Sequence, residues 1–300
     1  MLSTNVSIEQ KVNLLEFEEK GVHVYVKRDD KIHPFISGNK WRKLKYNYEL
    51  FLDSGCKGIA TFGGAFSNHI LAIASFCAEN RIKCVGIIRG EEPKVLNHVL
   101  VLAKLWGMEL CFVSRQAYTE KNLLAELWQG HGYFIIPEGG DNDAGAKGCS
   151  ELVDELLRSY DHIFCASGTG CTIAGIANGV ARKKLKSHCH SIPVLKQGEF
   201  IEERVLAEVP NIINLTVHTS FHGGGYAKTT PELLRFIHYL AKETGILTDP
   251  IYTAKAFYAV SELAKDGYFK KGETILIIHT GGLTGLLSEK MLSAVQKSIL

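Results

Sequence analysis

The chain has no C-x-x-C pair, no long apolar run and no block of like charge. Each absence excludes something. The eight cysteines, Cys56, Cys77, Cys84, Cys111, Cys149, Cys165, Cys171 and Cys189, sit mostly in apolar stretches. A chain of 300 residues can build a sizeable core without cross-links. They therefore read as reduced thiols of a cytoplasmic protein, not as a disulfide framework. The most apolar stretch, VLNHVLVLAKLWGM, is interrupted by His98 and Lys104, which argues against a membrane span. The N-terminal MLSTNVSIEQKVNLL carries Glu9 and Lys11 and lacks the apolar core of a signal peptide. A net charge of +2 without a basic block argues against a nucleic-acid partner. With 7 prolines and no Pro/Ser-rich linker, repeat or low-complexity tract, no boundary between domains is marked. If two domains exist, the chain crosses directly between packed elements.

What is present is alternation. Short β-branched runs, such as Val22 to Lys27, Gly58 to Phe62, Lys83 to Ile88, Glu109 to Val113, Tyr133 to Ile136 and His162 to Ala166, read as strands. Between them lie segments of helical period: Trp41 to Ser54, Ser67 to Asn80, Pro93 to Trp106, Asn122 to Gln129, Ala146 to Ser159 and Cys171 to Lys184. Beyond these, strands are expected at Asn211 to Val217 and Thr274 to His279, and helices at Pro231 to Thr244 and Ala254 to Asp266. This order means an α/β fold with parallel sheets and crossover helices. Roughly nine strands fit one sheet or two smaller ones. In such folds, ligands sit where strand ends meet helix starts.

Several loops of that kind carry chemistry. TFGGAFSNHI, Thr61 to Ile70, runs from a strand through two glycines into Ser67-Asn68-His69 at a helix start, where free N–H groups can take a carboxylate or phosphate. Ser67 alone also reads as an ordinary N-cap. CASGTGCTIAGI, Cys165 to Ile176, places glycines and the Thr169 and Thr172 hydroxyls before an Ala-rich helix, an anion cradle without the Lys-Ser/Thr of a Walker loop. Its glycines do not follow the dinucleotide spacing. IIHTGGLTGLL contains Thr280, TDPIYTAKAF contains Tyr252 and Thr253, and FHGGGYAKTTPE contains Tyr226. SHCH (Ser187 to His190) and HTSFH (His218 to His222) have metal-like spacing but lack a third ligand, so no metal is expected. Finally, SGNKWRKLKYN, from Ser37 to Asn47, crowds Lys40, Arg42, Lys43 and Lys45 around a turn just after Asp29-Asp30. That stretch alone reads either as a helix start with a solvated basic face or as the setting of a chemically active lysine.

In order along the chain, VKRDDKIHPFISGNKWRKLKY, GGAFSNH, GTGCTIAG, TDPIYTAKA and IHTGG resemble the pyridoxal-phosphate (PLP) enzymes of fold type II. The resemblance is to the branch of 1-aminocyclopropane-1-carboxylate (ACC) deaminase and D-cysteine desulfhydrase, and it covers nearly the whole chain. It implies an α/β fold of two parallel-sheet domains, tryptophan synthase β-like. The large domain would hold residues 1–46 and 138–300 and the small one residues 47–137, with PLP in the cleft between them. It implies that Lys40 forms the Schiff base with PLP and that Lys43 helps hold the phosphate, with Thr169, Gly170, Cys171 and Thr172 as the main cradle. Asn68 would reach the cofactor's phenolic oxygen. Ser67 and His69 would meet the substrate's carboxylate and reacting carbon, and Tyr226 and Tyr252 would line the substrate side. Catalysis would fall to Lys40, Ser67 and Tyr252.

In the same resemblance, Thr253 and Thr280 stand where the deaminases carry an acidic residue and Leu, so they follow the desulfhydrase pattern; one of them would lie at the pyridine nitrogen. The implied activity is elimination from a small amino acid, with D-cysteine leading. ACC, another eliminase or racemase substrate, and a PLP-binding protein without turnover are the alternatives. A homodimer is implied by the resemblance only. The sequence departs from the family pattern at Ala65-Phe66 and Ile70-Leu71, which predicts an apolar presence at the carboxylate site.

Overall fold

The computed structural model describes residues 2–36 and 38–299; Ser37, in the lysine-rich stretch, lies outside them. Among the described residues, ten strands form two sheets. The larger contains β1 (Glu9–Val12), β2 (His23–Lys27), β7 (His162–Ser167), β8 (His188–Pro193), β9 (Leu215–Val217) and β10 (Thr274–Ile278), in the order β1-β2-β10-β7-β8-β9. Only β1, which pairs with β2, runs antiparallel. The smaller sheet, β5-β4-β3-β6, is wholly parallel and contains β3 (Gly58–Gly64), β4 (Lys83–Arg89), β5 (Glu109–Val113) and β6 (Tyr133–Ile136).

Strand alternation sorts the cores. On β10, Ile275 and Ile277 face a layer with Phe164, Leu240, Phe257 and Val260. Leu276 and Ile278 face the opposite layer, with Ile163, Ile173 and Ile176. Covering both faces is α1 (Leu15–Lys20), α9 (Pro231–Thr244) and α10 (Thr253–Lys265) on one side, and α6 (Asp143–Ser150), α7 (Cys171–Arg182) and α8 (Phe200–Glu208) on the other. The small sheet packs α2 (Asn39–Asp53), α3 (Asn68–Glu79) and α4 (His98–Leu105) on one face, and α5 (Lys121–Gly130) on the other. The last helix is α11 (Glu289–Ile299), which packs on α9.

Several elements differ from the sequence expectation. The helix expected from Pro93 begins at His98, because the Asn97 side chain accepts from Val99 and Leu100 N–H and so caps it there. The helix expected to reach Ser159 ends at Ser150 and continues as a 3₁₀ turn, Glu151–Glu155. The strand expected from Asn211 is only Leu215–Val217. Strand β8 is not among the strands bounded from the sequence, since HCHSIP has few β-branched residues.

Helix α2 is fixed at its start by ion pairs. The Arg42 guanidinium is bidentate to Asp29, at 2.6 and 2.8 Å, and also binds Glu155 at 2.8 Å twice. Asp29 is fully buried and Arg42 nearly so. Lys27 reaches the same Glu155 at 3.1 Å. Removing one partner of a buried pair strands the other charge, which costs about 3–5 kcal/mol. Arg42→Met is expected to lower unfolding stability by that amount in urea titration, with Glu155→Gln losing less because Glu155 is partly exposed.

The histidine-rich strands form a chain of imidazoles. His162 Nδ1 meets His190 Nε2 at 2.9 Å, His190 Nδ1 meets His218 Nε2 at 2.9 Å, and His162 Nε2 meets Glu273 at 3.1 Å. His190 stacks on Phe164 at 4.1 Å. Burial, then the neighbouring imidazoles, push His190 down to about 2; burial, then His188, pushes His218 down to about 4. Unfolded histidine protonates near 6.5. The contribution of these two histidines to stability is therefore constant above pH ~6.5 and falls as pH drops through 6.5 towards 4, by up to about 1.4 kcal/mol per pH unit per histidine. Denaturation midpoints at pH 7 and pH 5 should differ in this sense, and His190→Phe should reduce the difference.

Candidate active site

A cavity of about 750 Å³ opens between the two sheets. Its walls come from strand ends and helix starts of both. Lys40 and Lys43 arrive on the first turn of α2. Gly38 makes this possible: at φ +60 it lies so close to β10 that a Cβ would sit 1.9 Å from the Thr280 carbonyl oxygen. The lysines are thereby set beside Thr280, which also lines the cavity.

The Lys40 ammonium donates to Asn39 Oδ1 at 3.1 Å, and Asn39 Nδ2 donates to Thr172 Oγ1 at 2.9 Å. Burial, reinforced by the Lys43 charge, lowers Lys40 to about 7. Lys43 donates to the Gly139 carbonyl at 2.9 Å. Burial opposes its charge, but Cys171, Cys149 and Asp141 outweigh burial and hold it above the usual lysine value.

Thr169, Gly170 and Thr172 lie together at the start of α7. Gly170 at the N-cap position brings no side chain, and none caps the helix. Among the described residues, the start of this twelve-residue helix thus has no side-chain cap, and its Gly170 and Thr172 line the cavity. Cys171 does not line the cavity; its side chain lies behind the turn against the Gly140 carbonyl, 3.4 Å away. An uncapped helix start, two hydroxyls and a lysine fit a phosphate ester, and Lys40 fits a group carrying an aldehyde, so the residues present suit PLP.

Across the cavity, Ser67 caps α3, its Oγ accepting from His69 N–H at 3.2 Å and Ile70 N–H at 3.4 Å. The hydroxyl proton remains available to the cavity, so the cap and the site are one residue. Asn68 bonds the large-sheet side of the cleft: its Nδ2 donates to Gly282 O at 3.2 Å and its Oδ1 accepts from Thr284. His69 is buried, with Nε2 2.8 Å from the Thr61 hydroxyl, which itself donates to Ile136 O at 2.8 Å. Burial, then Lys40 and Lys43, hold His69 well below 6.5 and therefore neutral.

Tyr226 and Tyr252 meet edge to face, centroids 6.0 Å apart, on the remaining wall. Burial first, then Tyr226, keeps the Tyr252 hydroxyl well above 10 and protonated. Thr253 is not brought to the cavity. It is fully buried, and its hydroxyl donates to Asp249 Oδ1 at 2.9 Å as part of the start of α10. Of the two threonines, Thr280 alone lines the cleft. Phe66 does supply an apolar wall, but Ile70 is fully buried in the small-sheet core, and Leu71 is buried too; neither lines the cavity. Asn39, which couples Lys40 to the α7 cradle, was not singled out from the sequence; its place inside Gly-Asn-Lys was the available signal.

A lysine held near 7 is about half neutral at pH 7, whereas an ordinary lysine is almost wholly protonated. In protein stripped of small molecules, Lys40 should be modified by an amine-selective reagent with a midpoint near pH 7. Peptide mapping across pH should show it reacting at least ten times faster than exposed lysines at that pH.

The comparisons with known proteins agree with this geometry. The family model described as "Pyridoxal-phosphate dependent enzyme" matches residues 10–281. A putative 1-aminocyclopropane-1-carboxylate deaminase of Thermotoga maritima is 35% identical, over 91% of this chain and 92% of that protein. The mitochondrial bifunctional D-cysteine desulfhydrase/1-aminocyclopropane-1-carboxylate deaminase of Arabidopsis thaliana is 31% identical, over 89% of this chain and 74% of its own. The crystal structure of an ACC deaminase homologue superposes with a TM-score of 0.80 at 28% identity, covering 96% of this chain and 93% of the other. With its lysine-bearing cleft between two parallel sheets, the chain belongs to the pyridoxal-phosphate dependent enzymes of fold type II, in the family of ACC deaminase and D-cysteine desulfhydrase.

Proposed function

We propose that this enzyme eliminates a β-leaving group from a small amino acid, with D-cysteine as the leading substrate. Water completes the reaction, giving pyruvate, hydrogen sulfide and ammonia. The observation that carries the reading is Lys40: an amine near 7, beside an uncapped helix start and facing Ser67. Bound PLP supplies the electron sink that makes the substrate α-proton removable.

The chain's own residues do the rest. Thr169, Gly170, Thr172 and Lys43 hold the phosphate. Lys40, half neutral at pH 7, takes the α-proton. Ser67, its oxygen engaged by two backbone N–H groups, donates to the substrate carboxylate. Tyr252, kept protonated, is a proton source for the departing sulfur. Thr280 supplies a neutral hydroxyl, and the cavity-lining acids Glu138 and Asp141 are paired with Lys121 and Arg204. A cleft with no free carboxylate among the described residues favours a good leaving group such as thiolate over opening of a cyclopropane ring.

The second reading is ACC deamination, favoured by relatives that bear that name. PLP binding without turnover is the reading of another class. In the same proposal, residues 1–46 and 138–300 form one domain and residues 47–137 the other. Their closure excludes water, with the Asn68 contact to Gly282 joining them. A homodimer rests on family likeness.

The test is keto-acid release by PLP-loaded protein. Pyruvate from D-cysteine, exceeding 2-oxobutanoate from ACC, is the expected result, with Lys40→Ala at least about 10³-fold slower. Faster 2-oxobutanoate release would reverse the order of the two readings. A visible cofactor band that no amino acid perturbs would leave only the non-catalytic one.

A further inference from the structure

Tyr226 reaches the cavity from an unusual piece of backbone. Gly223, Gly224 and Gly225 have φ of +60, +91 and +112, and Ala227, just beyond the tyrosine, has φ +55. Four of these five residues are in the region that glycine tolerates and alanine disfavours. Such a strap does not hold its shape by local preference; something outside it must. Within the strap, Gly225 N–H donates to His222 O at 3.1 Å and Gly224 N–H to His222 Nδ1 at 2.9 Å. Lys228 N–H donates to Gly225 O at 3.2 Å.

The outside contact is Lys255. This lysine, on the first turn of α10, is 0% exposed, and its ammonium donates to the same Gly225 carbonyl at 3.0 Å. Its Cε lies 3.5 Å from where a Cβ on Gly223 would stand. No carboxylate is within ion-pair distance of it among the described residues; Asp249 acts on it only through its field. A buried ammonium resting on one carbonyl is a poor choice for stability alone. It sits three residues after Tyr252, the ring that Tyr226 meets edge to face.

We propose that Lys255 is a positioning residue for the reaction: its ammonium ties the glycine strap to the turn that presents Tyr252, and so holds Tyr226 over the substrate side of the cavity. It touches neither the cavity nor the reacting atoms. The strap-holding role stands on geometry; its effect on turnover rests on the reading of Tyr226 as a substrate-side residue. Burial, partly offset by Asp249, lowers Lys255 to about 8. The other titratable groups around it are Tyr226, Tyr252, His222 and Lys228; both tyrosines are raised and stay protonated through that range. Raising pH through about 8 removes the charge from the tie and loosens the strap.

The experiment uses the PLP-loaded enzyme, with Lys255→Met and, separately, Tyr226→Phe. Lys255→Met is expected to keep the visible cofactor band and raise KM for D-cysteine about tenfold, with kcat within about twofold. Wild-type KM should rise above pH 8, and that limb should vanish in Lys255→Met. Adding Tyr226→Phe should cause little further loss, because the two residues act as one unit.

A substrate-independent readout separates the two readings: trypsin cleavage after Lys228, which is exposed. It should be slow in wild type at pH 7, faster at pH 9 and fast in Lys255→Met at both. Should the variant not fold, the wild-type cleavage rate across pH 7–9 decides by itself. Cleavage that is independent of pH and of the substitution overturns the proposal. A strap that loosens as expected in a protein without turnover of D-cysteine or ACC upholds the tie and overturns the assigned function instead.

Discussion

The bidentate pair between Arg42 and Asp29 fixes the helix on which the chemistry depends. Lys40 and Lys43 sit within one turn of Arg42, so the position of α2 sets where both amines lie. Asp29 follows β2 directly, and Glu155 comes from the 3₁₀ turn after α6. One guanidinium thus registers a helix against two segments of the large-sheet side. The fork geometry matters, since a lysine could not span both carboxylates with the same number of donors. The cluster of cations in the sequence therefore divides by role. Arg42 is structural, Lys45 pairs with Glu151 at 2.8 Å, and only Lys40 and Lys43 turn to the cleft.

The cleft works by keeping different charges in different states. Lys40 is made easy to deprotonate by burial and by Lys43, while Tyr252 is made hard to deprotonate by burial and by Tyr226. His69 is kept neutral by burial first, then by Lys40 and Lys43. A base, an acid and a neutral ring therefore coexist near pH 7 within one cavity. The cavity-lining acids Glu138 and Asp141 have partners of their own in Lys121 and Arg204.

Much of this was legible in the sequence where local rules and tertiary needs coincide. Helix α9 is bounded as expected because Thr230 caps it, Pro231 occupies its first turn and Gly245 ends it at φ +69. Strands β5 and β6 were legible because their β-branched and aromatic residues lie between polar turns. The bounds of strand β8 were hidden because its His190 bonds His162 of β7 and His218 beyond β9, a partnership that no local pattern reveals. Thr253 and Thr280 look alike in sequence, yet one completes a helix start and the other lines the cleft. Asn39 was hidden for the same reason: its value is a contact with Thr172, far away in the chain.

Strand order has a consequence for how the molecule comes to exist. β10 lies between β2 and β7, at the middle of the large sheet, yet it is the last strand in the sequence. During synthesis the first two strands and the three from β7 to β9 emerge as separate halves with open edges. They can join only when residues 274–278 slot between them. The pairing of β10 with β2 spans about 250 residues, the kind of distant closure that slows folding. Cutting the chain short by some thirty residues would remove little mass but leave two unjoined half-sheets and two wet edges, each a template for association with other chains. The cleft, whose walls include Thr280 immediately after β10, would never assemble.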